Sequence, residues 1–71
     1  MDFATAGKYV IRFGQYKGRT IAKIAESDAG LLYLDRLLAW DRVWIDTRNA
    51  IETYLSDPSI AKELRSLLEA G

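Results

Sequence analysis

The chain has 71 residues, 49% of them apolar and 28% charged, which is the composition of one small globular domain and not of a disordered segment. It has no cysteine and no histidine. That removes disulfides, thiolate zinc sites, the commonest general base and the commonest metal ligand. Ten cations balance ten anions, but unevenly: residues 1–24 hold five cations against Asp2 alone (+4), and residues 25–71 hold five against nine anions (−4). A basic head on an acidic body attracts phosphate or an acidic protein surface. A net charge of zero gives no support to strong non-specific DNA binding.

No apolar run reaches the roughly 18 residues of a membrane span, and no signal-peptide pattern opens the chain. The expectation is a cytoplasmic chain with no membrane partner, and the Met1 start reads as a whole short protein. A domain near this size buries only about 60% of its unfolded surface. Its stability must come from dense packing of Leu, Ile, Trp and Tyr, or from a second chain.

In chain order, residues 1–7 read as a loose arm anchored only by Phe3. Tyr9, Ile11 and Phe13 alternate with Val10 and Arg12, the period of a half-buried strand. Gly14-Gln15-Tyr16-Lys17-Gly18 has glycine at both ends, where a tight return needs positive φ. Arg19-Thr20-Ile21 then reads as the returning strand, which makes residues 8–21 a β-hairpin. From residue 22 to 71 the pattern is helical. Ile21, Ile24 and Ala25 give a short turn over about 21–26.

Ser27 and Asp28 are capping residues for a helix over about 29–40, with Leu31, Leu34, Leu37 and Leu38 on its apolar face. Asp41 is the expected cap of the next helix, whose stripe is Trp44, Ala50, Ile51, Tyr54 and Leu55. Asp57-Pro58 restarts the chain into a last helix striped by Ile60, Ala61, Leu64, Leu67 and Leu68 and ended by Gly71. The expected architecture is α+β: one domain, with a short N-terminal hairpin packed on about three helices. Tyr9, Ile11 and Phe13 face those helices, and Arg12 and the loop face outward.

Phe13-Gly14-Gln15-Tyr16-Lys17-Gly18-Arg19-Thr20-Ile21 resembles the Phe-Gly-Lys-Tyr-Lys-Gly-Lys-Thr-Ile signature of the exodeoxyribonuclease-X-like C-terminal domain. It is equally similar to the small bacterial and phage proteins grouped as quorum-sensing-regulated virulence factors. Ala25 to Gly30 resembles the family's acidic stretch ending Asp-Pro-Gly, with Ala29 where proline is usual. Tyr33-Leu34-Asp35-Arg36-Leu37 resembles its Tyr-Leu-x-Trp-Leu helix after one inserted residue. Arg36 stands where the family has Trp, and Trp40 offers an aromatic one turn on. Ala50 to Leu55 is similar to the last matching helix, so the resemblance spans about residues 9–55. It implies an accessory module for DNA or for a DNA-processing partner. The nuclease's catalytic carboxylates belong to a separate domain, so no nuclease activity is implied.

The candidate nucleic-acid contacts are Lys8, Arg12, Gln15, Tyr16, Lys17, Arg19 and Lys23. Lysine and arginine neutralise phosphates, Gln15 can donate and accept, and Tyr16 either stacks on an unpaired base or folds back as core. The loop lacks the Gly-Lys-Ser/Thr ending of a nucleotide-binding P-loop, so its glycines read as turn geometry. Trp40 and Trp44 are either core or, where exposed, a protein-contact surface. Asp41 with Asp46, and Asp28 with Asp35, lack a third ligand for a metal. No nucleophile–base constellation can be named, so neither an enzyme nor a cofactor is expected. The functional expectation is a non-catalytic DNA-associated module using the basic loop. The alternative is a protein-interaction module that docks on a larger machine, and a third reading is a homo-oligomer with the last helix as its seam.

Overall fold

The computed structural model describes residues 1–70. Five helices occur in order: α1 (Phe3–Gly7), α2 (Ile21–Ile24), α3 (Asp28–Ala39), α4 (Ile45–Leu55) and α5 (Pro58–Ala70). The chain is 69% helical, and no strand or sheet forms among the described residues. The fold is therefore all-helical, which corrects the α+β expectation and its N-terminal β-hairpin. Gly71, the expected end of the last helix, lies outside the described residues.

The reason the hairpin fails is local. Tyr9–Ile11 and Gly18–Ile21 do run antiparallel: Ile11 N–H donates to Arg19 O, Gly18 N–H to Ile11 O, and Ile21 N–H to Tyr9 O. But only Val10 and Thr20 form a bridge. Helices consume the residues on both flanks. α1 runs to Gly7, and the Thr20 hydroxyl accepts from Lys23 N–H, so α2 starts at once. Between them Gly14–Tyr16 winds into a single 3-10 turn. Too few extended residues remain for a ladder. Alternation over three positions reads equally well as one extended segment lying on helices: Ile11 is buried, and Tyr9 and Phe13 pack half-buried against the core.

The expected loose arm is also a helix. The Asp2 carboxylate accepts from Thr5 N–H at 2.7 Å and caps α1. That hydrogen bond holds the Asp2 carboxyl below its ordinary range. Phe3 stacks on Tyr54 with ring centroids 4.5 Å apart, and the small residues Ala6 and Gly7 let α1 lie close against α4. Burial, with Asp57, Glu26 and Glu63 nearby, pushes the Tyr54 hydroxyl above its usual range, so the stack involves the neutral phenol.

Ser27 caps α3 by accepting from Gly30 N–H at 3.1 Å, and Asp57 accepts from Ser59 and Ile60 N–H at the start of α5. Asp41 caps nothing: α4 begins at Ile45, with Trp44 in the capping position and no side-chain cap. Val43 is buried and its N–H reaches Trp40 O, so residues 40–44 form an irregular connection instead of a helix start. The core joins Ile11, Ile21, Ile24, Leu31, Leu34, Ala50 and Ile51. Each fully buried Ile or Leu side chain contributes about 1.5–3 kcal/mol by its removal from water. Thr47 is a buried polar side chain, and it is satisfied by the Tyr9 hydroxyl at 2.8 Å.

Gly14 and Gly18 both have positive φ, +76° and +89°. A Cβ on Gly14 would collide with the Tyr33 hydroxyl, whereas one on Gly18 would meet open space. Gly18→Ala should therefore cost only the left-handed backbone penalty, about 1–2 kcal/mol. Gly14→Ala should cost measurably more and displace Tyr33. Urea denaturation of both variants checks this, and equal losses would mean that the Tyr33 contact carries no energy.

Candidate functional site

Lys8, Arg12, Gln15, Lys17, Arg19 and Lys23 are all exposed. Arg12, Lys17 and Arg19 gather at the closed end of the antiparallel return, because Ile11 bonds to both Gly18 and Arg19. Lys23 differs: it pairs with Glu26 at 3.3 Å, on a surface where a single ion pair is worth little. No other ion pair occurs among the described residues.

Tyr16 is half-buried and does not stand out as a free platform. Its ring packs on Tyr33 with centroids 4.8 Å apart, and the Arg19 guanidinium lies 5.8 Å from its centroid. The tyrosine thus ties the loop to α3 and holds Arg19 over an aromatic face.

The free aromatic surface lies elsewhere. Trp40 is 46% exposed and Trp44 64%. Both escape the core because the irregular 40–44 connection takes them off the helical stripes, leaving Val43 to fill the interior. Phe13 packs on Trp40 at 5.9 Å between centroids. Two open clefts result. The larger, about 570 Å³, runs along one face of α3 and is lined by Tyr33, Arg36, Leu37 and Trp40, with Gln15 and Ala29 among the remaining walls. The smaller, about 220 Å³, is lined by Phe13, Trp40, Arg42 and Trp44. Trp40 belongs to both, so the clefts adjoin. Arg36 and Trp40 share a wall of the larger cleft.

Sequence reasoning missed Arg48. Its guanidinium donates to Leu38 O at 3.0 Å and to Trp40 O at 2.9 Å, so α4 caps the end of α3 and fixes the Trp40 backbone. Arg42 was not singled out either, whereas Arg36 stands four residues before Trp40, one helical turn away. The placement of Arg42 beside the tryptophans depends on the turn at 40–44, for which helical periodicity gives no signal.

A scan of protein-family models, a search of curated proteins and a search of solved structures each returned no significant match. No helix among the described residues is long and apolar enough to cross a membrane.

Proposed function

We propose that the chain is a non-catalytic, DNA-associated binding module whose electrostatic contact is the Gly14–Gly18 loop and its flanks. The observation that supports this most is the state of the basic side chains. Lys8, Arg12, Lys17 and Arg19 are exposed, and none is engaged in an ion pair among the described residues. Cations in that state exchange small counterions for backbone phosphates, and the released counterions drive binding. The resemblance of Phe13–Ile21 to the exodeoxyribonuclease-X-like signature supports the same reading. The absence of histidine and cysteine from the sequence supports a binding role over a catalytic one.

The test is fluorescence anisotropy of labelled single- and double-stranded DNA at about 50 and 200 mM salt, where phosphate contacts weaken steeply. Binding should fall with salt. Lys17→Glu and Arg19→Glu should each weaken it and flatten its salt dependence. Salt-independent binding, or variants indistinguishable from the parent, would refute the proposal.

A further inference from the structure

The basic loop supplies charge but no free aromatic plane, because Tyr16 is engaged with Tyr33 and Arg19. The most exposed rings are Trp40 and Trp44, and they occur with arginines. The smaller cleft combines Phe13, Trp40 and Trp44 with Arg42. The larger combines Tyr33 and Trp40 with Arg36 and the amide of Gln15. Each therefore has a ring wall for a base and a cation for a phosphate, the pair of groups a nucleotide of an unpaired strand requires. Neither arginine is neutralised by a carboxylate ion pair among the described residues. Gln15 belongs to the loop tip, so the larger cleft begins where the basic loop ends.

We infer that these adjoining clefts are two consecutive nucleotide subsites for single-stranded DNA, sharing the Trp40 indole as a common wall. Resting on the DNA-associated reading above, this narrows the ligand to an unpaired strand. Charge complementarity alone would accept a duplex. Stacking would not, because the bases of a duplex already stack on one another and cannot enter a cleft unless they are unpaired. The strand runs from the loop, where Arg19 and Lys17 meet its phosphates, past Arg36 and Gln15 to Arg42 and Trp44. Arg48, through its bond to the Trp40 carbonyl, is a positioning residue for the shared wall.

The probe is a short oligothymidylate strand, compared with a mixed-sequence duplex of equal length and with polyglutamate. Trp40 and Trp44 are the chain's two tryptophans, so intrinsic fluorescence reports directly on the clefts. The strand should quench tryptophan emission and bind at least about tenfold more tightly than the duplex, in keeping with the stacking worth of one or two bases. Trp44→Ala and Arg42→Gln should each weaken strand binding about tenfold, while Trp44→Phe should keep most of it. Trp44 and Arg42 are exposed, so these variants should keep the parent's circular dichroism and melting behaviour.

If strand and duplex bind equally in a salt-dependent way, with no quenching and no effect of Trp44→Ala, the subsites are refuted and the charged-loop reading stands. If neither DNA binds at low salt, both fall. Equal quenching by polyglutamate would assign the clefts to an acidic protein segment and overturn the inference.

Discussion

Gly30→Ala should destabilise the fold by about 3 kcal/mol, at the upper end of what overpacking costs. A Cβ at this position would overlap the Ile24 carbonyl oxygen, with the Ile24 carbonyl carbon at 2.8 Å and Ser27 Oγ at 2.9 Å. These are backbone and cap atoms, so no flexible side chain can swing aside. The substitution strikes twice: it pushes α2 off α3, and it disturbs the Ser27 cap whose acceptor serves Gly30 itself. A domain of this length has about 4–10 kcal/mol in all, so a large part of it would be lost. Helix propensity alone predicts the opposite sign, a gain of about 1 kcal/mol from Gly to Ala. Urea denaturation decides between them through the shift in midpoint at constant slope. A midpoint that rises would show that the close approach of α2 and α3 is dispensable.

Arg48→Met should cost about 2 kcal/mol, the range of hydrogen bonds made by a charged donor. Methionine keeps most of the apolar stem and removes the fork that holds Leu38 O and Trp40 O. Arg48→Lys should recover only part of the loss, because one ammonium does not reproduce two nitrogens fixed in a plane. The same variant separates stability from site geometry. Freeing the Trp40 carbonyl lets the 40–44 connection relax, so native tryptophan emission should shift to the red in Arg48→Met at temperatures where it remains folded. An unshifted spectrum with lowered stability would reduce Arg48 to a helix cap without influence on the clefts.

These two residues mark what local pattern could and could not reveal. Ser27 and Asp57 were legible as caps, and Leu31, Leu34, Ala50, Ile51, Tyr54 and Leu55 as core, because helical spacing and cap chemistry act over three or four residues. α1 was not legible. Five residues show too little periodicity, and what steadies them, the Phe3–Tyr54 stack, comes from far along the chain. The alternation of Tyr9, Ile11 and Phe13 correctly marked inward positions, yet sidedness does not require a strand partner, and the caps on either flank left no room for one. Asp41 looked like a cap by residue type, but burial of Val43 decided where α4 could begin. The charged half of the candidate site was visible as the +4 head. The aromatic half depended on a five-residue turn and on Arg48 reaching back 8 and 10 positions, which no window of sequence displays.

The packing of residues 1–9 combines a local contact, with α2, and a long-range one, with α4. α1 leans on α2, and α2 on α3, so these contacts can assemble from neighbouring segments. α1 has its largest contact with α4, and Tyr9 finds its hydroxyl partner 38 positions later in Thr47. The contacts of α1 with α4 and of Tyr9 with Thr47 therefore form only once α4 has been made. Closing a loop of about 40–50 residues is an entropic cost that only the finished α1–α4 contact recovers. The α1–α4 seam is thus the long-range joint of the domain, and the amides of α4 should gain protection no earlier than those of α2 and α3.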